Sequence, residues 1–147
     1  MNLSKSIKVT VVSGAAAAAQ TAIDSSVLDM QGYSGVMFIA LTGDVTDTSV
    51  LTLTAKGNSA NSTSSPTPVN QAAATFTAGP TNADSKALIV DVANPDPALR
   101  YMFATLTRTA ANAVVGGIIA IQYQPGMKPT EQDATVIASA FAVGAAA

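Results

Sequence analysis

The residues that could do chemistry are few, and their spacing narrows what they could do. The chain has no histidine and no cysteine. A Ser-His-Asp triad is therefore impossible, and thiolate nucleophiles, disulfides and thiolate metal sites are removed with it. Serine paired with lysine stays open on residue type. The adjacent pairs Ser4-Lys5 and Ser85-Lys86 would face opposite ways on a strand. Two carboxylates, Asp84 and Glu131, could form a glycosidase pair if the fold brought them together. Glu131 is the sole glutamate and lies in an Ala-rich tail, a poor place for a preorganised acid. Asp44 and Asp47 share one loop, and Asp91, Asn94 and Asp96 surround another turn. Such oxygens could hold calcium, but neither stretch has the EF-hand pattern, and Asp and Asn are ordinary turn formers. The expectation is no cofactor and no catalytic metal.

The remaining polar residues give no stronger site. Arg100 and Arg108 would share a strand face about 26 Å apart, too far to clamp one ligand. They read as solvated charges near strand ends. Tyr33, Tyr101 and Tyr123 could line a sugar site, yet with no tryptophan and few aromatics they read as core or interface residues. The glycines match neither a dinucleotide fingerprint nor a P-loop. The net charge of −2 is scattered, which leaves no basic patch for a phosphate backbone. Nucleic acid and membrane are not expected as direct partners.

What must position these residues is sheet. Residues 100–124 read as two long strands and a short loop. Met102, Ala104 and Leu106 alternate with Tyr101, Phe103, Thr105 and Thr107, the period of two that marks a strand. Residues 109–113 break the pattern, and Asn112 tolerates the left-handed turn conformation. After it, residues 114–123 are dense in β-branched side chains, with Ile119, Ile121 and Tyr123 on one face. The pair Gly116-Gly117 suggests a bulge or a plain weak spot in a hairpin. Further strands are predicted over 6–12, 25–30, 36–41, 49–56, 72–78 and 86–92. The run 36–41 is continuously apolar, as for a strand buried on both sides. Residues 14–22 read as a loop, a short helix or an extended arm, and 57–71 as the longest loop. The predicted core contains Phe38, Ile39, Leu88, Val90, Met102, Leu106, Ile119 and Ile121.

With 147 residues the chain suits one domain. Only 11% is charged and 48% is hydrophobic, against a usual charged share of about 25%. That balance opposes disorder and suits a sheet protein partly covered by neighbours. Lys5 and Lys8 beside residues 9–12 and the alanines at 15–19 faintly imitate a secretory signal. The apolar region is thin and broken by Thr10, Ser13 and Gly14, so cleavage is not expected. The fold reading is all-β: a single jelly-roll-like β-sandwich of about eight strands with extended terminal arms. Its parts are an N-terminal strand and Ala-rich arm (1–24), a sandwich core (25–124) and an Ala-rich C-terminal arm (125–147). In that last arm Val136, Ile137, Phe141 and Val143 stand among alanines, with no charge after Asp133. They are the candidate partner interface, and the arm is expected to cross to a neighbouring chain.

Several stretches carry a resemblance. Asp29-Met30-Gln31-Gly32-Tyr33 with the run 35–41, Arg100-Tyr101, and residues 109–123 with Lys128-Pro129 just beyond resemble a pattern in small structural proteins of tailed bacteriophages. The likeness runs from about residue 5 to 129 and is weakest after Glu131. Its motifs are structural, so no catalytic residue carries over. It implies a non-enzymatic virion component, with capsid decoration or cement proteins as the nearest analogy. Such a protein would sit on the outer surface of the head, bridge subunits of the major capsid protein or bind other virion proteins, and form homo-oligomers. A neck, connector or tail protein is the alternative within that class. A carbohydrate-binding β-sandwich is the alternative from another class, and a hydrolase comes last.

Overall fold

The computed structural model describes residues 2–144. Met1 and the last three residues of the C-terminal arm, 145–147, lie outside the described residues. One helical turn, α1 (Leu3–Ser6), precedes ten strands: β1 (Ile7–Ser13), β2 (Ala16–Ala19), β3 (Ile23–Asp24), β4 (Leu28–Asp29), β5 (Tyr33–Val45), β6 (Val50–Asn58), β7 (Thr67–Thr77), β8 (Ala87–Ala93), β9 (Tyr101–Thr109) and β10 (Ala113–Pro125). They form two antiparallel five-stranded sheets. The first runs β1-β10-β5-β8, with β2 also on β10; the second runs β3-β9-β6-β7, with β4 also on β9. The all-β sandwich expected from the alternation is the fold.

The core lies between the sheets. From the first sheet it takes Val12, Val36, Phe38, Ala40, Leu88, Val90, Val92, Ile118 and Ala120, and from the second Leu51, Leu53, Ala55, Met102, Ala104 and Leu106. Five of the eight predicted core residues are there. Ile39, Ile119 and Ile121 are not: they point away from the second sheet and are only half-buried. The sequence is apolar on both faces of 36–41 and 118–121, so alternation alone does not say which face turns inward. Gly116-Gly117 decides it. The register with β5 shifts between Val115 and Gly117, and Gly117 has φ +143 with a would-be Cβ only 3.0 Å from the Ser13 carbonyl. A side chain there would strain the backbone and meet β1.

Other boundaries moved. Residues 16–19 form a strand on β10 rather than a free arm, and residues 7–29 supply edge strands to both sheets. The last third of the expected long loop, from Thr67, belongs to β7, and its first two residues end β6. In the β9–β10 turn the left-handed residue is Ala110 (φ 68), not Asn112.

Candidate interaction surface

The residues singled out for chemistry are dispersed. Asp84 accepts the Val45 backbone N–H at 2.8 Å, at one end of β5. Glu131 is exposed beside Thr130, whose N–H bonds Lys5 near the start of β1. That is the Gly35 end of the same sheet, since Ile7 pairs with Tyr123 and Tyr123 with Gly35. The separation along β5 is roughly 33 Å, far beyond the 5–9.5 Å or so of a glycosidase pair. Asp44 and Asp47 are exposed. Asp96 accepts the Ala98 N–H, Asn94 takes φ 48 in its turn, and Asp91 points from β8 to Tyr123. Among the described residues no cluster of three His, Cys, Asp or Glu side chains forms. Ser85 and Lys86 are both exposed, with Ser85 at φ 53.

The two arginines part company. Arg100 is a surface residue in a bidentate pair with Asp29, at 2.8 and 2.7 Å, and also donates to Gln31. This hydrogen bonding holds the Asp29 carboxyl below its usual range. Arg108, expected to be solvated, is buried at 3% exposure. Its guanidinium donates to the carbonyls of Thr21, Ala17 and Ala113 and to the Thr21 hydroxyl, at 2.8–3.0 Å. It fastens the 16–21 segment to the end of the core. Its parity was readable: Arg108 continues the Met102, Ala104, Leu106 face, which is the inward one.

The outer faces of the two sheets differ in chemistry. Opposite Leu51, Leu53 and Leu106, the second sheet presents Thr52, Thr54, Thr75, Thr77, Thr105 and Thr107, in register across β7, β6 and β9. Thr52 and Thr75 hydrogen-bond each other, and Phe103, on the same side, is itself buried. A threonine-covered face is what a solvated antiparallel sheet carries. The outer face of the first sheet is aliphatic instead. Val11, Ile119, Ile39 and Ile89 align in one row across β1, β10, β5 and β8; the next row is Val9, Ile121, Met37 and Asp91. Ile89 is 53% exposed, Val11 42% and Leu41 41%.

Tyr123 flattens one corner of this face. Its ring lies over Gly35, where any Cβ would collide with it, and its hydroxyl reaches Asp91 on β8. Burial, then the bond to Asp91, pushes its phenol up to about 12. The one charge on the face is thereby tied to a neighbour.

The C-terminal arm begins on its own chain. Thr130 and Gln132 donate to the Ile7 carbonyl, Gln132 Oε1 accepts the Val9 N–H at 2.7 Å, and Thr135 Oγ1 accepts the Val11 N–H at 2.9 Å. Side chains thus occupy the hydrogen-bonding edge of β1, the edge where another strand would otherwise add. Val136 lines an apolar groove with Leu3, Ile7 and Val9. Ser139 lines the same groove, whereas Ile137 is 98% exposed, Val143 81% and Phe141 51%. Of the four candidate interface residues, Val136 therefore packs on its own domain, whereas Ile137, Phe141 and Val143 are open.

No helix of the described residues is long and apolar enough to cross a membrane. No protein-family model matches the chain, and no curated protein sequence matches it significantly.

Proposed function

We propose that this chain is a structural protein of a tailed-bacteriophage virion, and in its most concrete form a capsid decoration protein that binds the outside of the head and stabilises it by bridging shell subunits. The observation that carries this reading is the order of the strands. Taking β3 with β4 as one interrupted strand and β2 as an extension of the edge, eight strands remain. They visit the sheets in the order first, second, first, second, second, first, second, first, and lie as β1-β10-β5-β8 and β3-β9-β6-β7. That order matches the strand order of a jelly roll, an architecture used by viral capsid domains and by lectins. The exposed end of the arm, uncharged after Asp133, favours the first use over the second. Ile137, Phe141 and Val143 offer apolar side chains to a protein surface.

In this reading residues 130–136 anchor the arm to β1, and residues 137–144 reach the shell. Burying a side chain such as Phe141 contributes about 1.5–3 kcal/mol, so three such anchors offset much of the entropy of ordering the arm. The test is a pull-down with capsids assembled from the major capsid protein of the phage that carries this chain, using the full chain and the triple variant Ile137→Ser, Phe141→Ser, Val143→Ser. The full chain is expected to bind at a fixed ratio to shell subunits and the variant to be depleted at least tenfold. Equal capture of both, or no capture of either, would overturn the reading.

A further inference from the structure

Apart from the Ile7–Val9 end of β1, where Val136 packs, the aliphatic outer face of the first sheet has no role in that scheme, and its chemistry is the opposite of the threonine face behind it. We propose that this face packs against the same face of a second copy of the chain, so that the protein associates face to face about a twofold axis.

Three observations select a second copy as the occupant. The first is composition. The row Val11, Ile119, Ile39, Ile89 is aliphatic from edge to edge, and the one carboxylate beneath it, Asp91, is held by Tyr123. Asp91 keeps its charge at the β8 edge of the second row, and the rest of the face carries no charged side chain, so the surface most complementary to its aliphatic centre is another like it. The second is area. Four strands about 4.8 Å apart and about 3.3 Å per residue over the seven-residue β1 and β8 give a projected face of roughly 450 Å², or roughly 400 Å² without the Ile7–Val9 end of β1 on which Val136 packs. The relief of the side chains adds to that, so two faces together reach the total of about 1,000 Å² that a specific interface needs. The third is closure of the competing route. The β1 edge is occupied by Gln132 and Thr135, so copies cannot extend the sheet through β1. Face-to-face stacking uses neither edge and would set the sheets about 10 Å apart with strands rotated by about 30°, as twist requires. An interface of this kind is isologous: each copy offers the same patch.

The experiment is sedimentation velocity on the full chain across a concentration series, without capsid, so its outcome is independent of the shell reading. Ile89→Lys is the main variant, because half-exposed Ile89 tolerates lysine in the monomer. Ile39→Lys, at the centre of the face, is the second, and Phe141→Ser is the control on the arm. Circular dichroism accompanies each. Expected is a wild-type dimer or a multiple of one, with association weakened at least about tenfold by Ile89→Lys, since like charges would then meet near the interface, and an undisturbed fold. Phe141→Ser should sediment as wild type. A monomer at every concentration would overturn the proposal. So would an oligomer that Ile89→Lys and a folded Ile39→Lys leave intact, or one that only Phe141→Ser disperses.

Discussion

Replacing Arg108 by methionine should destabilise the domain by about 3 kcal/mol. The guanidinium is 3% exposed, and its four bonds run to carbonyl and hydroxyl oxygens; among the described residues the single ion pair is Asp29 with Arg100. It is thus a buried cation held by backbone dipoles. Two terms oppose each other. Removing a buried charge that lacks a counter-ion returns its desolvation cost, which is why exchanging buried ionic groups for apolar ones is often neutral. Against this, hydrogen bonds to a charged donor contribute about 1.5–3 kcal/mol each, and the acceptors do not all recover. Ala17 and Thr21 are exposed and their carbonyls can turn to water, whereas Ala113 is fully buried and its carbonyl loses this donor with no water to replace it. Methionine keeps most of the stem packing. The net loss is one desolvated acceptor, about 1–3 kcal/mol, plus the tether that holds β2 and the 20–22 segment. At roughly 0.3 kcal/mol/K of unfolding entropy for 147 residues, about 3 kcal/mol lowers Tm by roughly 10 °C. Urea and thermal denaturation give the total, and hydrogen exchange should show amides of residues 16–24 opening first. Arg108→Lys keeps the charge but reaches fewer of the acceptors, and should fall between. A methionine variant within about 0.5 kcal/mol of wild type, or more stable than it, would refute the reasoning.

Three further outcomes are expected. Phe38→Ala removes a fully buried ring from the centre of β5 and should cost about 3–5 kcal/mol; a melt within a degree or two of wild type would contradict its placement. Thr10 has a buried hydroxyl with no partner among the described residues, so Thr10→Val should raise stability by about 1 kcal/mol in urea denaturation, and a loss of stability would mean the hydroxyl is satisfied. Tyr123, with its phenol raised to about 12, is neutral in both states below the ordinary value of about 10. Between those values the unfolded chain ionises first, so stability should fall as pH rises. Tyr123→Phe should flatten that alkaline limb, and urea midpoints that respond to pH identically in both proteins would contradict it.

The sandwich was legible because the strands of the second sheet obey strict alternation. Leu51, Leu53 and Leu106 face in and threonines face out, so period two reports the core directly. It was less legible in the first sheet for a physical reason. There both faces are apolar, one for the core and one open, and Ile119 and Ile121 fit a core as well as Ile118 and Ala120 do. The bulge at Gly117 sets the choice, and its direction depends on β1, more than a hundred residues away in sequence. Arg108 was misplaced although its parity pointed inward, because charge outweighed alternation in the reading. Its acceptors are backbone carbonyls, which leave no trace in residue types. The arm residues Ile137, Phe141 and Val143 stood out by composition. The side-chain bonds of Gln132 and Thr135 to β1 did not, since they join positions 123 and 124 apart.

The claim that the chain is a shell-binding virion protein is tested most directly by cryo-electron microscopy of the particle that carries it. The account predicts two-sheet density at symmetric positions on the outer surface of the head, with residues 137–144 against shell subunits. Density confined to the neck or tail, or no density for the chain on purified particles, would contradict it.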